Sequence, residues 1–121
     1  MTPPYAFDLL SNVWSQQLFD LFAEFLPQQP ITNVPTLLQA FHGLRAYSGS
    51  EHFNAGHFDA WAKANLDPDD GGIHAARFVL YLWDSTHQWT SGQWNLKAAL
   101  RAWDDFHLAA FQLWCLAPFE P

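Results

Sequence analysis

Apolar side chains recur along this sequence at the spacing of an α-helix, and no stretch alternates convincingly between apolar and polar residues as a half-buried strand does. The clearest example runs from Tyr5 to Leu26, with prolines just before and just after it. Its apolar positions share one side of a helix and are Phe7, Leu10, Trp14, Leu18, Leu21, Phe22 and Phe25. The spacing therefore predicts an all-α protein.

Turn-forming residues divide the rest of the chain into four further helical segments. Their predicted bounds are about 34–47, 51–65, 73–83 and 95–116. In the second helix the predicted apolar face consists of Leu37, Ala40, Phe41 and Leu44. On the same helix His42 is predicted to point away from the core, and Ser48 with Glu51 has the spacing of a capping box for the third helix. We therefore predict one domain, residues 1–121, folded as a single compact bundle of about five helices.

The composition is that of a folded protein with more aromatic surface than its core can bury. Half of the 121 residues are hydrophobic and only 14% are charged, which argues against disorder. Seven Trp, eleven Phe and three Tyr supply more large apolar surface than a small domain can hide completely. Because large exposed apolar patches commonly mark interfaces, we expect a homo-oligomer or a protein partner.

Charge, hydropathy and cysteine usage exclude several other classes of protein. The net charge of −7 and the scattering of the five Lys and Arg residues argue against binding nucleic acid. No apolar run approaches the roughly 18 residues that span a bilayer, and the first four residues do not resemble a signal peptide. The single Cys115 lies in an apolar segment, which predicts a buried thiol in a reducing compartment. These features predict a cytoplasmic protein without a membrane anchor.

Two histidines are predicted to face the core of the bundle. His107 lies in the middle of the apolar face of the last predicted helix, among residues that include Leu96, Leu100 and Trp103, and His57 lies on the apolar face of the third. Asp104 stands one turn before His107 and can act as a further ligand or orient the imidazole. The sequence therefore offers a metal site of His57, His107 and Asp104, with a divalent metal as the only cofactor that it suggests. The alternative is that each histidine is neutral and hydrogen-bonded inside the core.

A polar stripe on the fourth predicted helix is the second candidate site. Within an arc of about 80° it contains His74, Arg77, Tyr81 and Asp84. If the stripe lines a cleft, Arg77 can bind a carboxylate or phosphate, and His74 or Tyr81 can donate a proton. If it faces water, it is the solvated side of an amphipathic helix.

Trp89 and Trp94 stand on either side of Ser91 and Gly92 in the most polar part of the chain. Aromatic side chains on loops can bind a ligand or a partner, and they can equally fold back to close the end of a bundle.

The sequence identifies no catalytic residues, because it contains neither a serine nucleophile elbow nor a phosphate-binding glycine loop. The first functional hypothesis is accordingly a non-enzymatic module that binds itself or another protein. The alternatives are a metal- or small-ligand-binding bundle that uses the inward histidines, and an enzyme that uses the stripe on the fourth helix.

Overall fold

The computed structural model describes Pro27 and residues 29–121, and within them the chain forms five α-helices and no strand. The helices, numbered here in chain order, are α1 Val34–Ala40, α2 Ala55–Asn65, α3 Gly71–Trp83, α4 Leu96–Ala102 and α5 Asp105–Leu116. Two short 3-10 turns, His42–Leu44 and Ser50–His52, connect α1 to α2. The predicted all-α class is confirmed, and the predicted helix over residues 5–26 lies outside the described residues.

Helix α1 is shorter than the sequence predicts. It begins at the capping box of Asn33 and Thr36, in which the Asn33 side chain accepts from the Thr36 amide at 2.9 Å. It ends at Ala40 because Phe41 takes an extended conformation, and the 3-10 turn His42–Leu44 follows instead of two more helical turns. The predicted apolar face is nevertheless buried, because the turn directs Phe41 and Leu44 into the same core.

Helix α2 begins later than predicted, since its N-cap is Asn54, whose side chain accepts from the amide of His57 at 3.0 Å. The expected cap at Ser48 and Glu51 is wrong. Ser50–His52 forms a separate 3-10 turn, and Phe53 is extended, so the chain changes direction before the helix starts.

Helix α3 is the central element of the described fold. The Asp70 side chain caps it by accepting from the Gly71 amide at 2.7 Å, and nine of its thirteen residues are buried. It contacts α1, α2, α4, α5 and the turn His42–Leu44, which explains why its sequence is apolar on more than one side. Around it packs an aromatic core in which Phe41 and Phe78 meet edge to face at 6.0 Å.

The last predicted helix is interrupted. Trp103 and Asp104 leave the helical conformation, so α4 ends at Ala102 and α5 begins at Asp105. A single helical wheel over residues 95–116 is therefore wrong in phase for its first half: Leu96 and Leu100, predicted to face the core, are 46% and 50% exposed. Cys115, predicted to be buried, is exposed, because the final turn of α5 extends past the core.

None of the described helices combines the length and the apolar character that a bilayer crossing requires.

Candidate metal centre

The break between α4 and α5 fixes the position of Asp104. Trp103 anchors the break, because its indole N–H donates to the carbonyl of Gly71 at 3.1 Å. Asp104 is the N-cap of α5, and its Oδ1 accepts from the amide of His107 at 2.8 Å. One oxygen of this carboxylate is thereby held in place by the helix that it starts.

Two imidazoles contact the same carboxylate. The Nδ1 of His107 lies 2.9 Å from Oδ1 of Asp104, and the Nε2 of His42 lies 2.9 Å from Oδ2. The two rings are stacked at a tilt, with their centroids 4.2 Å apart. One nitrogen or oxygen atom from each of the three residues lies within 4.8 Å of the others. We call His42, Asp104 and His107 the histidine–carboxylate cluster.

The cluster is buried at one end and open at the other. The His107 side chain is 3% exposed, the His42 side chain 26% and the Asp104 side chain 46%. Phe41 stacks on the His107 ring at 6.0 Å, and the ring of Phe106 meets His42 edge-on at 5.6 Å. Solvent therefore reaches the cluster along the edge formed by Asp104 and His42.

The far side of the His107 ring fits against glycine. A Cβ atom on Gly43 would lie 2.7 Å from Nε2 of His107, so the α-carbon of Gly43 faces this nitrogen directly. Nε2 has no hydrogen-bond partner among the described residues. Because the Asp104 carboxylate can only accept, the hydrogen of the neutral ring belongs on Nδ1, and Nε2 holds a lone pair.

The electrostatics of the cluster keep Asp104 charged and His107 neutral. Burial lowers the pKa of His107, and the nearby His42 lowers it further, while Asp104 opposes both. Burial alone would raise the pKa of Asp104, but the hydrogen bonds and charges of His107 and His42 lower it overall. Asp104 is thus a carboxylate at neutral pH, and His107 is a neutral imidazole.

The structure brings together two of the three residues that the sequence suggests for a metal site. Asp104 and His107 meet as expected. The predicted inward orientation of His57 is wrong: His57 is exposed in the first turn of α2, because this helix buries the face that contains Phe58 and Ala62, and it is not part of the cluster.

His42 is the member that sequence reasoning missed. A helix continuing to Tyr47 placed it on the outer face, whereas the actual helix ends at Ala40, two residues before His42, and the turn directs His42 towards Asp104. Gly43 carried a signal for this break, since glycine is a poor residue for a helix interior.

The polar stripe on α3 does not act as one unit. His74 is buried and Arg77 half-buried, whereas Tyr81 and Asp84 are exposed and border a shallow, open depression shared with Glu120 and Pro121. Asp84 accepts from the amide and the hydroxyl of Thr86, at 3.0 and 2.8 Å. The hypothesis of an enzyme needed all four residues in one cleft, and this arrangement gives it no support.

Two side chains together hold the loop after α3: Arg77 and Asp59. Asp59 is not among the residues that the sequence analysis selects. Arg77 donates through Nε to the Ser91 carbonyl at 2.8 Å, and its guanidinium covers Gly92, where φ is +114° and a Cβ would lie 2.5 Å from Nε. The buried Asp59 accepts from the amides of Ser91 and Thr90 and from the Thr90 hydroxyl, at 2.8, 2.9 and 2.7 Å. These side chains hold the loop in place and are not arranged around a ligand.

Trp89 and Trp94 both pack against the core. The indole N–H of Trp89 donates to the Asp84 carbonyl at 3.2 Å, and Trp94 contacts Phe78 and Trp103 with ring centroids 5.0 and 5.5 Å apart. This packing favours the interpretation in which the two indoles close one end of the bundle.

Because His74 is buried, we expect the protein to lose stability in mildly acidic solution. Burial lowers its pKa, Arg77 lowers it further and Asp69 opposes the shift, so the unfolded chain takes up the proton first as pH falls. Neutral His74 makes its full contribution to the free energy of unfolding above the ordinary histidine pKa of about 6.5. This contribution is lost as the pH falls through the folded-state pKa. In urea titrations of chelator-treated protein, the free energy of unfolding should fall between about pH 7.5 and about pH 5.5.

In the variant His74→Leu this fall should be smaller, with the pKa shift of His107 accounting for the remainder. A pH dependence that is identical in the variant and the wild type would contradict the assignment.

Comparisons of the chain with protein-family models, with curated proteins and with solved structures gave no match.

Proposed function

We propose that this protein binds a divalent transition-metal ion at the histidine–carboxylate cluster. The observation that carries the proposal is the convergence of two imidazoles on one carboxylate at a solvent-accessible edge. Ligands bound to a zinc-sized ion at 2.0 to 2.2 Å lie roughly 3 to 3.5 Å from each other, so the ion can replace a proton of the cluster with little movement.

The donor atoms select the class of metal. Imidazole nitrogen with a carboxylate suits Zn²⁺ and its first-row neighbours, whereas Ca²⁺ and Mg²⁺ prefer oxygen ligands throughout. Cys115 stands in the last turn of α5, away from the cluster at its first turn, and adds no thiolate. We expect Zn²⁺, Co²⁺ or Ni²⁺ to bind, and Ca²⁺ and Mg²⁺ to bind far more weakly.

The three residues of the cluster have different roles in this proposal. A metal on Nδ1 of His107 would move the ring hydrogen to Nε2, where a buried N–H without an acceptor costs about 1–3 kcal/mol. His42 and Asp104 are the more exposed members of the cluster, at 26% and 46%. They are therefore the direct ligands, and His107 keeps its hydrogen on Nδ1 and holds the carboxylate in position.

Zinc titration of the variant Asp104→Asn tests the proposal. Asparagine is a good N-cap and can still accept from the His107 amide, so α5 keeps its start while the site loses its anionic ligand. We expect the zinc affinity, measured by calorimetry on chelator-treated protein, to fall by at least about 100-fold.

The control is Asp105→Asn, which neutralises the adjacent exposed carboxylate outside the cluster and should leave the affinity nearly unchanged. Equal zinc affinity in the wild type and in Asp104→Asn would refute the proposal, and so would a wild-type protein that binds no zinc.

A further inference from the structure

We infer that the exposed side of α4 is a docking surface for an acidic, amphipathic helix of a partner protein. This inference goes beyond metal binding and does not depend on it. The surface consists of Leu96, Lys97, Leu100 and Arg101, and we call it the α4 face. All four residues are exposed, and on a helix their positions lie within an arc of about 140°.

The first argument is the apolar surface of the α4 face. Leu96 and Leu100 lie one turn apart and are 46% and 50% exposed, whereas Ala99 on the other side of the helix is fully buried. The fold itself holds the leucines at the surface. The break after α4 is fixed by the Trp103 indole, which donates to the Gly71 carbonyl, and this break sets α4 apart from α5. Apolar side chains held at a surface in this way are typical of a contact with another molecule.

The second argument is the pair of cations beside the leucines. Lys97 and Arg101 are two of the five Lys and Arg residues in a chain that contains twelve Asp and Glu residues. Within Pro27 and residues 29–121, neither cation forms an ion pair, and α4 itself contains no acidic residue. The α4 face therefore presents positive charge that an acidic partner can complement.

The charge pattern also distinguishes between possible occupants. A second copy of the α4 face would bring two further cations to the contact and no acidic residue to pair with them. The net charge of −7 opposes the approach of an anionic membrane or a nucleic acid. A helix with apolar residues on one side and Asp or Glu beside them complements both the leucines and the cations, and helices pack through apolar residues one turn apart.

The test is a titration of chelator-treated protein with a synthetic peptide, measured by the fluorescence anisotropy of a dye on the peptide, at about 0.15 M salt so that long-range repulsion is screened. The peptide is an amphipathic helix with leucines on one side and glutamates next to them. We expect it to bind the wild type. A peptide with lysines in place of the glutamates, and one with the same residues in scrambled order, should each bind at least about 10-fold more weakly.

Two variants locate the binding. Leu100→Ser should lower the affinity for the glutamate peptide by about 5-fold, because it removes the apolar contact of a half-exposed leucine. Lys97→Glu should lower it by about 5-fold as well, since it places like charges opposite each other. An acidic residue is favourable in the first turn of a helix, so this variant should keep α4 folded, which circular dichroism checks. The control is Lys63→Glu, which makes the same change of charge at an exposed residue of α2 and should alter the affinity by less than about 2-fold.

Three outcomes would overturn the inference. The first is a wild type that does not bind the glutamate peptide, and the second is equal binding of the glutamate and lysine peptides. The third is an equal loss in Lys97→Glu and Lys63→Glu, because the binding would then not be located on the α4 face. Sedimentation of the protein alone completes the test: a dimer that Leu100→Ser dissociates would assign the α4 face to a second copy instead. None of these results bears on the zinc titration of the metal centre.

Discussion

Replacing Gly43 by alanine is expected to destabilise the fold by roughly 1–3 kcal/mol and to abolish zinc binding. The added Cβ would lie 2.7 Å from Nε2 of His107 and 3.0 Å from the α-carbon of Gly72. Neither neighbour can yield easily, because the His107 ring is buried against Phe41 and Gly72 belongs to the backbone of α3. The turn that carries His42 must therefore move away from α3, and the cluster separates.

Gly56→Ala is the matched control for this prediction. Gly56 is exposed near the start of α2, and a Cβ there would approach nothing closer than 3.4 Å, to the side chain of Asn54. Alanine at this helical position should leave the stability unchanged or raise it by up to about 1 kcal/mol. Urea unfolding monitored by circular dichroism compares the two variants with the wild type. A Gly43→Ala protein as stable as the wild type would show that the close approach at Gly43 is not a constraint on the fold.

The variant Asp59→Asn is expected to destabilise the fold by roughly 2–4 kcal/mol, because it removes a buried anionic acceptor. Asp59 is 6% exposed, and each of its oxygens accepts at least one hydrogen bond from the loop after α3. These bonds lower the pKa of the carboxyl even though burial acts to raise it. An asparagine NH₂ in place of either oxygen would oppose a backbone N–H, leaving two donors without an acceptor.

The effect should be largest in the loop itself. Amide hydrogen exchange at Thr90 and Ser91 should accelerate more than exchange in the middle of α2. The exposed Asp69→Asn serves as the control for loss of one negative charge and should stay within about 0.5 kcal/mol of the wild type. Unchanged protection of the Thr90 and Ser91 amides in Asp59→Asn would contradict the anchoring role of this carboxylate.

The hydrophobic pattern was sufficient to predict the class of fold and the buried residues of α1, the turn after it and α3. The helical spacing of apolar residues correctly indicated α3 almost to its ends and the burial of Phe41 and Leu44. The pattern could not locate a helix end that is marked only by the backbone conformation of one residue. Phe41 is apolar at a helical position, and only its extended conformation shows that α1 has already ended.

Only part of the candidate site could be predicted from the sequence, because the hydrophobic pattern does not locate helix ends. Asp104 and His107 are three residues apart, so local spacing alone places one beside the other. His42 is 62 residues from Asp104, and its approach depends on where α1 stops and on how the turn packs against α3. The break at Trp103 that makes Asp104 a helix cap depends on a tertiary hydrogen bond to Gly71, which a helical wheel does not represent.

The contact between Gly43 and Gly72 has a consequence for ion binding. With no side chains between them, the turn His42–Leu44 rests directly on the backbone of α3, and a Cβ on Gly72 would lie 3.6 Å from the Gly43 carbonyl oxygen. The short connection that contains His42 is therefore packed against α3. The His42 imidazole and the Asp104 carboxylate are therefore held in place before the proposed metal binds, and a cation bound there would lose little binding energy in ordering them.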